Sequence, residues 1–269
     1  MPELPEVETT KNGLEPHIIG VCIKQVNIYK RQLRWPIPLE LKHLEGQKSH
    51  AISRRAKYML WHFETGTVIM HLGMSGNMRI LPQASPLKKH DHFEVIFDNH
   101  MALRFNDPRR FGAILWQPVE ETSALLSALG PEPLSDEFHG DYLHKSLSKR
   151  KGAIKNLIMD NKIVVGVGNI YASESLYLSG IHPKRAANKI SLVRCHALVN
   201  HIKAVLQEAI KQGGTTLKDF TKADGNPGYF AQQLNVYGRE GQACYQCQGL
   251  IKRLVIGQRS SFYCSNCQH

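Results

Sequence analysis

The sequence is short of three things: long apolar runs, a leader segment and acidic residues. No stretch approaches the roughly 18 consecutive apolar residues that a membrane-spanning helix requires. The segment Pro2 to Glu8 has neither the basic start nor the apolar core of a secretory signal. Acidic residues number 23 against 34 basic ones, so the formal net charge is +11. We therefore expect a soluble cytoplasmic protein with no membrane partner. The charge favours a polyanionic partner, although a basic protein that binds none has the same composition.

Cysteine is also scarce, and four of the six cysteines lie in two pairs near the C-terminus. The pairs are Cys244-x-x-Cys247 and Cys264-x-x-Cys267, separated by sixteen residues. In an intracellular protein this spacing favours a metal site over disulfides. Four thiolates on two knuckles are typical of tetrahedral zinc, and a site filled entirely by protein ligands is structural rather than catalytic. Chance pairing and redox chemistry are the alternative interpretations.

The spacing of apolar residues changes along the chain from helical to alternating and back. Helical spacing over residues 5–17 predicts an N-terminal helix that ends near Gly20. Short alternating runs between about residues 21 and 117 predict an antiparallel β-sandwich or barrel. A turn-rich segment at 130–136 marks a domain boundary. Beyond it, helices are predicted at 141–149, 153–160, 170–178 and 191–212.

The sequence thus predicts an α+β protein of three parts. They are a β-sandwich domain with an N-terminal helix at residues 1–130, a helical domain at 131–233, and a zinc-finger β-hairpin at 234–269. The helical domain ends in a long loop at 215–231, which contains Gly225, Pro227 and Gly228. Loops of that length in compact domains are usually functional.

The first residues of the chain have the composition of a catalytic N-terminus. If Met1 is removed, the mature chain begins with the secondary amine of Pro2, flanked by Glu3 and Glu6. An α-amino group has a pKa of about 7.7–8.0 against about 10.4 for lysine, so far more of it is nucleophilic at neutral pH. The two carboxylates are candidates for the proton transfers. The alternative needs no chemistry, because Pro5 and acidic residues are also favoured in the first turn of a helix.

Basic and glycine-rich stretches supply candidate anion sites. Gly166 and Gly168 precede Asn169 at a predicted helix start, where backbone N–H groups and the helix dipole favour an anion. A plain turn between helices has the same sequence. The stretch Arg54 to Tyr58 places lysine and arginine at the mouth of a strand hairpin, either as phosphate ligands or as a solvated strand edge.

Two further loops place bulky or cationic residues at tight turns. The loop 71–76 begins with His71 and contains Met74, and the loop 107–112 contains Arg109 and Phe111. An exposed Met or Phe beside arginine is the composition of a wedge that enters a stack of bases. As isolated loops they would more often be turns that pack on a core.

Together these stretches resemble the bacterial formamidopyrimidine-DNA glycosylases over the whole chain. The motifs that carry the resemblance are PELPEVE, RRAKY, HLGMSG, KHDH, DPRRFG, GPEPL, MDNKIVVGVGNIYASE, GGTTLKDF, VYGR and the four-cysteine finger. The resemblance implies a β-sandwich, a helix–two-turn–helix domain and a zinc finger, with damaged double-stranded DNA as the partner of a monomer in the bacterial cytoplasm. The implied activity is base excision repair: a DNA glycosylase removes oxidised purines, such as 8-oxoguanine and formamidopyrimidines. It then cleaves the abasic site as a lyase, by β,δ-elimination.

The resemblance also assigns roles to residues. Pro2 is the expected Schiff-base nucleophile, Glu3 the general acid at the opening sugar, Lys57 the proton donor in β-elimination, and Arg259 the residue for δ-elimination and phosphate binding. Glu6 is the second candidate carboxylate of the N-terminal motif. The candidate DNA contacts are His71, Met74, His90, Arg109, Phe111, Arg150, Lys155 and Asn169. Of these, Met74, Arg109 and Phe111 are expected to fill the gap left by an extruded nucleotide. The family pattern has lysine at position 150, where Arg150 keeps the charge.

Other classes of protein share parts of this pattern. An endonuclease VIII-like glycosylase for oxidised pyrimidines has a similar architecture, but the PELPEVE start argues against it. Tautomerases also use an N-terminal proline, yet they are much shorter and need no zinc finger. A non-catalytic zinc-finger protein that binds damaged DNA is the remaining alternative.

Overall fold

The computed structural model describes residues 2–121, 123–214 and 234–269. These residues form two compact units. The first contains the described residues up to 127 together with 212–214, and the second contains 128–211 and 234–269. The loop predicted at 215–231 lies outside the described residues.

The first unit consists of a long helix and two four-stranded antiparallel sheets. Helix α1 spans Leu4–Ile18. The sheets have the strand orders β1-β6-β7-β5 and β2-β3-β4-β8. The strands are β1 Ile23–Ile28, β2 Ala51–Arg55, β3 Tyr58–Phe63, β4 Gly66–His71, β5 Asn77–Pro82, β6 Asp91–Phe97, β7 Met101–Asn106 and β8 Ala113–Pro118.

The two sheets and helix α1 share one hydrophobic core, which confirms the predicted sandwich. Met59 and Trp61 from one sheet and Phe93 and Val95 from the other are fully buried in it. Helix α1 adds Leu14 and other residues of its apolar face. The alternation of side chains along a strand brings such residues to one face, and that period predicted most of these strands. Strands β2 and β5 show little of this alternation, because their composition is mixed.

A buried ion pair joins the neighbouring strands β6 and β7 of one sheet. The Arg104 guanidinium donates to Glu94 at 2.6 Å, and both side chains are 3 % exposed. Tyr29 and Asn27 donate to the other oxygen of Glu94 at 2.6 and 2.8 Å. Burial alone opposes ionisation, but the hydrogen bonds from Tyr29, Asn27 and Arg104 outweigh it and lower the pKa of Glu94. The carboxylate is therefore charged and fully engaged by its neighbours.

The second unit is helical and ends in a β-hairpin. Its helices are α3 Gly140–Leu147, α4 Ile154–Ile158, α5 Asn169–Leu178 and α6 Leu192–Lys211, and a short helix α2 at Ala124–Ser127 precedes them in the first unit. The hairpin pairs β9, Ile251–Ile256, with β10, Arg259–Cys264. These four helices and the hairpin match the predicted positions closely. None of the helices in the described ranges has the length and apolar character to cross a membrane.

Removal of one partner of the buried ion pair is expected to destabilise the first unit strongly. Arg104→Leu leaves the Glu94 carboxylate buried without its cation, at a cost of about 3–5 kcal/mol. The exposed pair Arg253 to Glu240 is the control, because Arg253→Ala at such a site costs about 0–1 kcal/mol. Chemical denaturation of the variants measures the difference. Equal stability of the two variants would contradict the importance of the buried pair.

The lowered pKa of Glu94 also sets a pH window for this contribution. Its folded-state pKa lies below the ordinary value of 4.5, so the unfolded chain binds the proton more readily. The stabilisation is therefore present above about pH 4.5 and is lost as the pH falls through the lowered pKa.

Candidate functional site

The start of helix α1 buries two carboxylates next to Pro2. Pro2 itself is buried, and Glu3 and Glu6 are only 2 % and 1 % exposed. The Glu6 carboxylate accepts the backbone N–H of Glu3 at 2.8 Å, as in a capping box. Capping explains why the helix begins here. Capping does not require burial, however, because helix-capping carboxylates are normally solvated. Two buried acids within four residues of a prospective amine are the composition of an acid–base site.

Gly214 packs directly against the Glu6 carboxylate. A Cβ atom at this position would lie 3.2 Å from Glu6 Oε1, and the backbone φ of +81° favours glycine. The close approach of this backbone keeps Glu6 enclosed within the first unit.

Lys57 lies at the tip of the β2–β3 hairpin. Arg55 pairs with Tyr58, so the loop contains only Ala56 and Lys57. Ala56 has φ +54°, at a position that two-residue hairpins usually fill with glycine. A non-glycine residue in this region costs on the order of 1 kcal/mol or more, and such strain is concentrated at functional sites. The turn holds the half-buried Lys57 at the end of the sheet.

His71 lies close to this hairpin on the neighbouring strand. It is paired with Tyr58, and the two rings lie 4.8 Å apart. Burial first, and then the positive charges of Lys57 and Arg34, lower the pKa of His71 to about 4. The ring is therefore neutral at physiological pH. Its Nδ1 accepts the Gly73 N–H at 3.0 Å, so the proton of the neutral ring is on Nε2, which acts as a donor.

The two predicted wedge loops are fastened together by the buried Asp107. Its carboxylate accepts the Ser75 hydroxyl at 2.8 Å and the Gly112 N–H at 2.8 Å. The loops also touch directly, since a Cβ atom on Gly73 would lie 2.4 Å from the backbone N of Gly112. The backbone N–H of Arg109 donates to the Ser75 hydroxyl oxygen at 3.3 Å. The loops 71–76 and 107–112 therefore form one rigid platform.

This platform presents apolar side chains to solvent. Met74 is 37 % and Phe111 46 % exposed, and the Arg109 guanidinium lies 5.0 Å from the centre of the Phe111 ring. Met74 and Phe111, together with Arg34, His71 and Gly73, line an open cavity of about 430 Å³. Exposed apolar side chains on a rigid support are suited to contact a flat apolar ligand such as a base.

His90 adjoins the same platform. It has φ +76° and is half buried, and its carbonyl accepts the N–H of Asp107 at 3.1 Å. The structure therefore brings His71, Met74, His90, Arg109 and Phe111 into one region of the first unit.

In the second unit, Asn169 and Lys155 form a shared hydrogen-bond network. Asn169 is the first residue of α5, and its amide donates to the Ser260 carbonyl at 3.0 Å. Lys155 is 1 % exposed, and its ammonium donates to Asn169 Oδ1 at 2.6 Å, to Ser261 Oγ at 2.7 Å and to the Ser260 carbonyl at 3.2 Å. Lys155 was predicted to contact the DNA backbone, and in the structure its ammonium is buried within the second unit. There it fixes Asn169 against strand β10.

Arg150 and Arg259 are both exposed. Arg259 is the first residue of β10 and follows the hairpin turn, so its side chain projects from the tip of the finger. Within the second unit, Arg259 belongs to the same strand as the serines that contact Lys155 and Asn169.

Glu174 and Tyr237 are functional residues that the sequence did not predict. The buried Glu174 carboxylate accepts the backbone N–H groups of Asn235, Val236 and Tyr237 at 2.7 to 2.9 Å. This fixes Tyr237, whose hydroxyl lies 3.4 Å from the Asn169 amide nitrogen. Both residues belong to motifs quoted above, but their roles depend on a contact over about 60 residues of chain that periodicity does not reveal.

The four paired cysteines converge as predicted. Their sulfur atoms all lie within 4.8 Å of one another, with Cys244 to Cys267 at 3.9 Å and Cys247 to Cys264 at 3.4 Å. Zn–S bonds of about 2.3 Å in a tetrahedron place the sulfurs about 3.8 Å apart, so the arrangement fits zinc. The set has no position for a substrate, which makes the metal structural.

The surroundings of Cys244 favour the thiolate that zinc requires. Burial opposes ionisation, but hydrogen bonds with the Tyr177 side chain and with the backbone of Cys247 and Gln246 lower the pKa of Cys244 to about 6. Tyr177 Oη lies 3.2 Å from the sulfur. Helix α5 thus carries Asn169 at its start and Glu174 in its middle. Near its end it carries Tyr177, the hydrogen-bond partner of the candidate zinc ligand Cys244.

Comparison with known proteins agrees with this geometry. Three family models match: the formamidopyrimidine-DNA glycosylase N-terminal domain at residues 1–114, the formamidopyrimidine-DNA glycosylase H2TH domain at 129–221, and the zinc finger found in FPG and IleRS at 241–269. Among relatives, the formamidopyrimidine-DNA glycosylases of Vibrio atlanticus (strain LGP32) and Escherichia coli (strain 55989 / EAEC) are 55 % and 54 % identical. Each alignment covers 100 % of both chains.

Solved structures of similar fold include two complexes of Lactococcus lactis Fpg. One is a complex with DNA that contains an abasic site, with TM-score 0.92, 32 % identity and 99 % coverage of both chains. The other is a complex of the wild-type protein with DNA that contains N7-benzyl-Fapy-dG, with TM-score 0.92, 33 % identity and 100 % coverage of both chains.

A β-sandwich that starts with a buried proline and two buried glutamates, a helix–two-turn–helix domain and a four-cysteine zinc finger together define a class of DNA glycosylase. All three domain models and the full-length relatives agree on one family within that class. The chain belongs to the formamidopyrimidine-DNA glycosylase family.

Loss of one cysteine is expected to release the metal. In Cys247→Ser, three thiolates remain, and the finger should lose zinc because metal binding and local folding are coupled in structural sites. Atomic absorption of the purified protein measures the zinc content. Cys22→Ser is the control, since Cys22 is a free cysteine outside the cluster, and it should keep one zinc per chain. Full zinc content in Cys247→Ser would contradict a four-cysteine site.

Proposed function

We propose that this chain is a bifunctional base excision repair enzyme, which removes oxidised purines from double-stranded DNA and then cleaves the abasic site. The observation that carries the proposal is the burial of Glu3 and Glu6 directly after Pro2 at the start of α1. The family to which the chain belongs supports the substrate class. The relatives crystallised with Fapy-dG-type and abasic DNA support both reactions.

The first reaction uses the amine of Pro2 after removal of Met1. Its nitrogen lone pair forms a bond to the anomeric carbon of the lesion nucleotide, and the damaged base leaves with the electrons of the glycosidic bond and takes up the proton that the amine loses. The sugar ring then opens as Glu3 donates a proton to the ring oxygen, which leaves an iminium between Pro2 and the sugar carbon. Glu6, held against Glu3 by a hydrogen bond, orients that acid.

The iminium makes the second reaction possible. It withdraws electrons from the adjacent C–H, so loss of that proton expels the 3′ phosphate in β-elimination. Lys57 gives a proton to the departing 3′ phosphate, and Arg259 assists expulsion of the 5′ phosphate in δ-elimination. Water finally hydrolyses the iminium and restores the amine of Pro2.

Access to the lesion requires extrusion of the nucleotide, which costs a few kcal/mol. The rigid platform of Met74, Arg109 and Phe111 is suited to fill the gap and offset that cost. Asn169, Tyr237 and the exposed Arg150 offer donors to phosphate, and His71 offers a neutral N–H donor. His90 contributes a further contact with the DNA backbone. We assign Lys155 an indirect part, because its ammonium is buried and orients Asn169.

The zinc finger would hold Arg259 at the tip of a small hairpin. The metal itself supplies structural stability and takes no part in the reaction. We further propose that the enzyme acts as a monomer on DNA in the bacterial cytoplasm. Its catalytic, DNA-binding and zinc-finger domains are residues 1–130, 131–233 and 234–269. In this proposal the loop 215–231 covers the extruded base.

Replacement of the nucleophile should separate chemistry from binding. Pro2→Gly exchanges the secondary amine for a primary one and is expected to slow both base release and covalent trapping by borohydride on lesion DNA severely, while DNA binding persists. Glu3→Gln should slow base release by a factor of about 10² to 10⁴, the usual contribution of a general acid. Single-turnover assays and gel trapping measure both effects. Full activity of Pro2→Gly would refute the mechanism, and a non-catalytic DNA-binding protein would form no trapped complex at all.

A role of Arg109 as a phosphate clamp and a role of Phe111 as a wedge can be separated by salt dependence. Arg109→Ala removes a cation near phosphate and should reduce the slope of log affinity against log salt by about one unit. Phe111→Ala removes no charge and should leave that slope unchanged while weakening lesion binding and cleavage. Affinity for lesion duplex is measured across a salt series. An unchanged slope in Arg109→Ala would contradict the clamp role, and normal cleavage by Phe111→Ala would contradict the wedge role.

A further inference from the structure

One guanidinium joins helix α1 to the hairpin that carries Lys57. Arg54 Nε donates to Glu8 Oε2 at 2.6 Å, and Arg54 Nη1 donates to the Ala56 carbonyl at 2.8 Å. The Arg54 and Glu8 side chains are only 11 % and 21 % exposed. The planar fork of arginine is what allows one side chain to hold a carboxylate and a carbonyl at once.

The two ends of this link lie next to the proposed reacting groups. Glu8 is in the second turn of α1, and the first turn of that helix follows Pro2 and Glu3. The Ala56 carbonyl belongs to the peptide bond that leads into Lys57. Ala56 also has the positive φ that an alanine adopts only when neighbouring contacts impose it. The Arg54 hydrogen bond is one such contact, and it fixes the orientation of the Lys57 backbone.

We propose that Arg54 and Glu8 form a positioning pair that sets the Lys57 ammonium relative to the Pro2 amine. The proposal rests on the elimination role given to Lys57 above. The pair acts through Lys57. Loss of the pair frees the hairpin turn but leaves the start of α1, with its own capping contacts, in place.

A second cation on Glu8 provides a matched control. Lys11 lies 3.4 Å from Glu8 and 3.4 Å from Glu15, and both of these partners are on α1. Lys11→Met therefore removes a charge from Glu8 without removing a bond to the hairpin. Arg54→Gln and Glu8→Gln break the link, and Arg54→Lys keeps the charge but loses the fork.

The test compares the two reactions in single-turnover assays of the full-length, zinc-loaded protein. Base release is measured on lesion duplex, and elimination is measured on duplex with a preformed abasic site. Arg54→Gln and Glu8→Gln are expected to slow elimination roughly tenfold to a hundredfold, because small misplacements of a catalytic group have effects of that size. Base release should change less than about threefold, Arg54→Lys should be intermediate, and Lys11→Met should match the unaltered protein.

A double variant tests whether the effect passes through Lys57. In a Lys57→Ala background, Arg54→Gln should slow elimination by less than about twofold, since residues that act as a unit are not additive. Equal slowing in both backgrounds, or equal slowing of base release and elimination, would overturn the positioning role. Thermal denaturation identifies a variant that fails to fold, in which case Arg54→Lys and Glu8→Gln decide the outcome.

The salt dependence of binding separates positioning from direct phosphate contact. Arg54→Gln should leave the slope of log affinity against log salt unchanged, whereas a phosphate contact would reduce it by about one unit. If the unaltered protein neither cuts abasic duplex nor is trapped by borohydride, the proposed function itself fails. If it does both, and Arg54→Gln behaves the same, only the positioning role fails.

Discussion

The Asp107 carboxylate is the constraint on which the exposed surface of the first unit depends. It is fully buried, and its oxygens accept one hydroxyl and one backbone N–H from two different loops. A buried charge without such donors would cost several kcal/mol, so the two loops are held in the single arrangement that satisfies it. Apolar side chains such as Met74 and Phe111 would otherwise collapse onto the protein. Their exposure is maintained by a polar contact beneath them.

The second unit uses the same principle twice. Glu174 gathers three consecutive backbone N–H groups, and Lys155 gathers oxygens from Asn169 and strand β10. In each case hydrogen bonds stabilise a buried charged side chain. That side chain in turn orients a partly exposed polar group, Tyr237 in the first case and Asn169 in the second. Tyr177 adds the link from α5 to the zinc ligand Cys244. Local folding, metal binding and the orientation of Asn169 are therefore coupled through one ten-residue helix.

The sequence predicted those features that depend on local spacing. Cysteine pairs with two intervening residues, alternating apolar runs and an acidic N-terminus after proline each define a geometry within a few residues. The roles of Lys155 and Glu174 could not be predicted in this way. Lys155 meets Ser261 over 106 residues of chain, and only the folded unit distinguishes a buried lysine from a surface one. Strand β2 shows the same limit, because Arg54 and Arg55 interrupt its apolar pattern and its pairing with β3 is seen only in the fold.

Under the proposed mechanism, the choice of an N-terminal proline as nucleophile also follows from this arrangement. For the proposed nucleophile, the buried carboxylates of Glu3 and Glu6 favour a protonated amine, whereas the burial of Pro2 itself favours a neutral one. A lysine, with a pKa near 10.4, would need a depression of about three units to be neutral at physiological pH. The α-amine starts near 7.7–8.0, so the same opposing influences leave a useful neutral fraction. The site can therefore keep two carboxylates for proton transfer beside its nucleophile without disabling it, which a lysine nucleophile in the same place would not allow.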